Sequence, residues 1–147
     1  MELNSLVHRW FNEVWNQGRE ETVDELYAVD AIAHGLGQAG AHTPGSGGFK
    51  VFLRNMRSAL PDLHIDVEDT IVQGDRVAAR VRLRATHLGE GLGVPPTGRH
   101  VTVDGIAIAR IVNGQVVETW NSWDQLSLLQ QIGMIPQTPD RFLSPQA

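Results

Sequence analysis

Apolar residues open the chain at helical spacing. Leu3, Leu6, Val7, Trp10, Phe11 and Val14 fall on one wide stripe. Asn16-Gln17-Gly18 supplies the stop, with Gly18 as a left-handed cap. A short second helix is predicted from Thr22, where Thr22 and Glu25 stand as in a capping box and Val23, Leu26 and Tyr27 face inward. Residues 35–48 hold Gly35, Gly37, Gly40, Gly45, Gly47, Gly48 and Pro44, the composition of a flexible loop. A third helix follows from about Gly47 to Leu60, with Phe49, Phe52, Leu53, Met56 and Leu60 on one face and Pro61 ending it.

The period then changes to two. Leu63, Ile65 and Val67 alternate with His64, Asp66 and Glu68. After a turn at Gly74-Asp75, Val77, Ala79, Val81, Leu83 and Ala85 alternate with Arg80, Arg82 and Arg84. A loop over Leu88–Arg99 leads to a third strand, Val101 to Val112, then an Asn113-Gly114 hairpin turn and a fourth strand from Gln115 to about Asn121. A last helix carries Leu126, Leu128, Leu129 and Ile132, closed by Gly133. Helices followed by consecutive antiparallel strands make an α+β fold. A curved sheet wrapped around the N-terminal helices would leave a cone-shaped pocket. In the third strand Val101, Val103, Ala107 and Ala109 share one face and Ile106 and Ile108 the other, so both faces call for cover, the outer one from a second subunit.

The 147 residues are one domain, with a core over about 3–135 and a tail over 136–147. The chain has no cysteine, which excludes thiolate metal sites, disulfides and cysteine nucleophiles. The net charge of −5 argues against nucleic acid. No run of membrane-spanning length and no leader-like start is present, so a cytoplasmic protein is expected. Lys50 is the only lysine, which leaves little scope for Schiff-base chemistry. The six histidines show no metal-ligand spacing; neither a metal nor an organic cofactor is expected.

Several stretches, in order, resemble the SnoaL-like polyketide cyclases (ester cyclases) of the nuclear transport factor 2-like superfamily. They are Ala59-Leu60-Pro61-Asp62-Leu63-His64, Thr86 to Arg99 with its Gly-Val-Pro-Pro-Thr-Gly run, Arg110 to Trp120, and Asp124-Gln125-Leu126-Ser127-Leu128-Leu129-Gln130-Gln131-Ile132-Gly133. The resemblance implies a cone-shaped α+β barrel of mixed or antiparallel sheet that dimerises through that sheet. It also implies cofactor-independent intramolecular aldol closure of a small hydrophobic, polyketide-like ester. It sets Asp124 at the family's acid/base aspartate. Where known cyclases carry a histidine on the third strand, this chain has Ala107.

Candidate residues follow. Asp124, after Trp120 and Trp123 at a strand-to-helix junction, is either a proton shuttle in an apolar setting or a helix N-cap; the resemblance favours the shuttle. His87, in phase with Leu83 and Ala85, could polarise a carbonyl or bond backbone where the strand leaves the core. His34 could sit at the pocket mouth or in solvent. Arg110 could hold Glu118 across the hairpin or bind a substrate oxygen. Trp10, Phe52, Trp120 and Trp123 serve as core or as pocket wall against a flat ligand. The loop over 89–98 suits a pocket rim. Two other classes stay open. One is a non-catalytic ligand-binding or dimeric scaffold protein. The other is an epoxide hydrolase- or isomerase-like activity; a second pocket carboxylate beside Asp124, from Asp104 or Glu118, would favour epoxide opening.

Overall fold

The computed structural model describes residues 2–36 and 42–137, with backbone alone for residues 42–44. Part of the glycine-rich loop, the His42 side chain and the tail from residue 138 lie outside the described residues. Among the described residues four α-helices are present: α1 (Leu3–Arg9), α2 (Glu20–Leu26), α3 (Gly45–Ala59) and α4 (Gln125–Gln131). Six strands accompany them: β1 (Tyr27–His34), β2 (His42–Pro44), β3 (His64–Gln73), β4 (Arg76–Thr86), β5 (His100–Val112) and β6 (Gln115–Trp123). They form one mixed sheet in the order β2-β1-β6-β5-β4-β3, antiparallel except where β1 runs parallel to β6. The architecture is the expected α+β, with an open sheet: β2 and β3 are edges, so no barrel closes.

The N-terminal stripe does form a helix, but it changes type. After α1 the chain continues as a π-helical stretch over Trp10–Asn16 and ends at Gly18, whose φ of 71° is the left-handed cap. Hydrogen bonding from i to i+5 brings residues five apart into line, and Trp10 and Trp15 both reach Phe49 of α3, at centroid distances of 5.0 and 5.9 Å. The end of this stretch is tied to the sheet by one side chain. Asn16 donates to the Ile65 carbonyl at 3.0 Å and accepts the Ile65 N–H at 2.7 Å.

Three local expectations are corrected. α2 begins at Glu20, so Thr22 lies inside it; its hydroxyl donates to Glu13 at 2.8 Å instead of forming a capping box. Tyr27 opens a strand rather than closing that helix. The glycine-rich segment contains the short strand β2, and α3 starts at Gly45.

The core lies between the inner sheet face and the helices. Val77, Val81 and Leu83 of β4 and Val101 and Val103 of β5 are buried with Leu6, Phe11, Val14, Trp15, Phe49 and Leu53. Further along β5 the inner row shrinks to Gly105, Ala107 and Ala109, which leaves space that larger side chains would fill. Ile71, Ile106 and Ile108 are exposed on the opposite face.

Candidate active site

A cavity of about 670 Å³ lies between α3, the inner sheet face and α4. Its walls include Trp15, Phe52, Met56, Leu83, Leu92, Trp123 and Leu128, with Asn55 and Gln125 as polar groups. That volume and apolar lining are those of a small-molecule site. Trp123 is held flat over β5 because its partner in the ladder, Gly105, has no side chain; a Cβ there would lie 2.6–3.0 Å from three indole atoms.

On the other side of Trp15 and Trp123 is a second, inner cavity of about 40 Å³. Trp10, Tyr27, Ala107, Thr119 and Asn121 line it. The Asn121 amide donates to the His34 carbonyl and to the Thr119 hydroxyl, both at 2.9 Å. Tyr27 is buried, its hydroxyl has no hydrogen-bond partner among the described residues, and burial pushes its phenol up to about 12. Neither cavity is lined by a carboxylate, imidazole, ammonium or guanidinium group among the described residues.

The loop after β4 is seated on the end of α3. Leu88 and Gly89 N–H both donate to the Ala59 carbonyl at 3.1 Å, and Ser58 Oγ donates to the Glu90 carbonyl at 2.9 Å. Gly89 and Gly91 lie so close to the α3 backbone that a Cβ at either would fall 1.9 or 2.2 Å from a carbonyl oxygen, at Ser58 and Asn55. This approach brings Leu92 over the larger cavity. His87 is fully buried at the root of the loop. Its Nδ1 accepts the Thr97 N–H at 3.2 Å, its own N–H donates to Arg99, and its carbonyl accepts from Gly98. Thus His87 joins the two stems of the loop and does not line either cavity.

The expected site residues separate into two groups. Trp10, Phe52 and Trp123 line the interior cavities. His34, Trp120 and Arg110 do not: all three lie on the outer face of the sheet. For Trp120 the cause is an extra residue in β6. Val116 pairs with Ile111 and Glu118 with Arg110, so the bulge at Val117 reverses the alternation, and Thr119, Asn121 and Trp123 turn inward while Glu118 and Trp120 turn outward. On that outer face His34 Nε2 bonds Glu118 at 2.8 Å, Arg110 pairs with Glu118 at 3.4 Å, His34 stacks on Trp120, and Arg76 covers the Trp120 ring at 5.2 Å. The His34 bond, with Arg110 beside it, holds the Glu118 carboxyl below the usual range.

Asp124 is exposed and caps α4, accepting the Ser127 N–H at 3.0 Å. The expected apolar setting is not there. Asp124 instead adjoins an outer depression of about 320 Å³ that it shares with Arg80, Asp104 and Ser122. Asp104 is held by Arg82 at 2.8 Å. Asp104 and Glu118, the candidates for a second interior carboxylate, both face outward. Sequence reasoning missed Tyr27, Asn55, Gly105, Thr119 and Asn121. Counting the alternation back from Trp123 would have found Asn121 and Thr119. No group of three or more His, Asp or Glu suited to a metal ion occurs among the described residues.

With this geometry in hand, the chain can be compared with known proteins. The profile of the SnoaL-like polyketide cyclases matches residues 5–132. An aklanonic acid methyl ester cyclase of Streptomyces peucetius is 25% identical over 129 residues, covering 87% of this chain and 89% of the relative. A nogalonic acid methyl ester cyclase of Streptomyces nogalater is 27% identical over 121 residues, covering 81% and 89%. The crystal structure of IdmH, a candidate polyketide cyclase from Streptomyces antibioticus, superposes with a TM-score of 0.79 at 31% identity over 90% of this chain and 99% of that one. AclR, a candidate hydroxylase from Streptomyces galilaeus, gives a TM-score of 0.81 at 28% identity over 98% and 93%.

Proposed function

The chain belongs to the SnoaL-like polyketide cyclase family, and from that membership we propose that it binds a polyketide-like ester in the larger cavity and closes a ring by cofactor-independent intramolecular aldol condensation. The observation that carries the proposal is the cavity. Its volume of about 670 Å³ suits a ligand of several fused rings, and Trp15, Phe52 and Trp123 offer aromatic surfaces against which such rings pack. In the reaction a base removes a proton from the carbon between two carbonyls. The resulting enolate carbon attacks a ketone within the same molecule, a carbon–carbon bond forms, and the proton is returned to the new alkoxide.

Asp124 is the proposed proton shuttle. Two considerations support it: the acid/base position that the resemblance implies for it, and its place in the chain between Trp123 and Gln125, both walls of the cavity. The Ser127 N–H holds Oδ1, and a substrate that meets Oδ2 must extend past Trp123 toward the outer depression that Asp124 lines. The test is turnover of an anthraquinone-type β-ketoester by wild type and Asp124→Asn. Asparagine caps helices as well as aspartate, so the fold and the affinity should persist. Turnover should fall by about 10²–10⁴ if the carboxyl moves the proton. Unchanged turnover removes Asp124 from the mechanism.

A second reading, a binding protein without chemistry, is favoured by the uncharged cavity walls and the exposed carboxylate of Asp124. Tight binding of the same ester with no product would select it. An epoxide-opening activity would call for paired interior carboxylates, and the described cavity walls hold none.

The proposal extends to the assembly and its setting. A second copy of the chain would cover the exposed Ile106 and Ile108, giving a dimer through the outer face. The partner would be a small hydrophobic molecule and not nucleic acid, in keeping with a net charge of −5. Residence in the cytoplasm belongs to the same reading. Among the described residues no helix is long and apolar enough to cross a membrane.

A further inference from the structure

We propose that the inner cavity is a subsite for one carbonyl oxygen of the ligand, with the Tyr27 hydroxyl as its hydrogen-bond donor. The inference rests on the function proposed above and adds a positioning residue to it. Tyr27 is 2% exposed, and its hydroxyl is one of two buried side-chain polar atoms without a partner among the described residues. Buried polar groups are nearly always bonded, so a partnerless hydroxyl calls for an explanation.

The ring is held in place. Trp10 stacks on one side with centroids 5.3 Å apart, and Phe49 lies 5.3 Å away. Tyr27 is one of the residues that line the inner cavity, and in the proposed arrangement its buried hydroxyl turns toward a group that enters there. Three observations describe that guest. The cavity is about 40 Å³, room for a single small group but not for a ring. Among the described residues its walls carry no ionisable group other than the phenol itself, so a charged guest would be poorly solvated there. Both N–H bonds of Asn121 are spent on His34 and Thr119, which leaves the phenol and the Thr119 hydroxyl as O–H donors among the described lining residues. An uncharged acceptor on a larger molecule fits all three, and a carbonyl at one end of a fused-ring ligand is such a group. Trp15 and Trp123 line both cavities, so their side chains are walls shared by the two.

The test compares two probes, the methyl esters of anthraquinone-2-carboxylic acid and anthracene-2-carboxylic acid, by quenching of tryptophan fluorescence. Wild type should prefer the quinone, and Tyr27→Phe should lose roughly 3- to 10-fold in affinity for it while binding the anthracene ester unchanged. Without ligand, the Tyr27→Phe protein should melt at the wild-type temperature or above, because an unbonded hydroxyl has been removed. A lower melting temperature, or failure to fold, would show that the hydroxyl serves the fold or a resident water, and would overturn the proposal. So would an unchanged preference between the probes. If wild type binds neither ester, the proposed function fails first and the subsite falls with it; if it binds both alike, only the subsite falls.

Discussion

Replacing Gly105 by alanine should push the Trp123 indole into the cavities it walls. The Cβ of alanine would lie 2.6, 2.7 and 3.0 Å from Cε3, Cδ2 and Cζ3 of that ring. Carbon atoms sit comfortably about 3.5–4.0 Å apart, so the ring must retreat by about 1 Å. Strand β5 is behind it, and the open space is on the cavity side. Overpacking of this kind costs about 1–3 kcal/mol. For a chain of this size about 2 kcal/mol lowers the melting temperature by about 4–8 °C. Differential scanning calorimetry of Gly105→Ala, with and without Trp123→Leu, is the decisive assay. The smaller leucine relieves the clash, so the penalty of Gly105→Ala should shrink by more than about 1 kcal/mol in the Trp123→Leu background. An equal penalty in both backgrounds, or none in either, would refute the stacked arrangement and with it the account of how the cavity wall is held.

Other consequences can be checked independently. Asn16→Ala removes both hydrogen bonds to Ile65 and should cost about 1–3 kcal/mol, read as a lower urea midpoint. Ile108→Glu places a charge on the exposed apolar stripe; sedimentation should show a monomer where wild type sediments as a dimer, with cavity binding retained. Glu118 is held below its ordinary value of 4.5 by His34 and then Arg110, so its contribution is present above that value and is lost as pH falls through the depressed one. The melting temperature should therefore decline below about pH 4.5. In Glu118→Gln that decline should be shallower; an identical acid limb would show that the His34–Glu118 pair does not couple to folding.

Periodicity carried the helices and the four strands β3 to β6, because each has a long run with one buried face. It failed at β1. Tyr27–His34 buries only alanines, Ala31 and Ala33, beyond its first turn, and its parallel partner β6 lies far along the chain, so nothing local marks it as a strand. The site was partly legible. Trp10, Phe52 and Trp123 are interior, but Trp120, read as core or pocket wall because it is aromatic, is turned outward beyond the bulge at Val117. Asp124 shows the limit of residue type as a guide: the same carboxylate beside two tryptophans can be an apolar-pocket acid or an exposed cap, and here the helix start takes it. The resemblance singles out Asp124 in the chain only by implication, whereas the fold tells which face it meets.

The π-helical stretch has a consequence for how this cavity can diverge. A substitution there changes one side chain, but loss of a single residue between Trp10 and Asn16 would restore ordinary α-helical phase. Trp10 and Trp15 would no longer meet Phe49 together, and the amide of Asn16 would swing away from Ile65. Length, rather than composition, is therefore the conserved quantity to look for in this segment. Relatives that have lost the extra residue should have a differently shaped chamber under an unchanged sheet, and a one-residue deletion offers a coarse setting of ligand size where point substitutions offer a fine one.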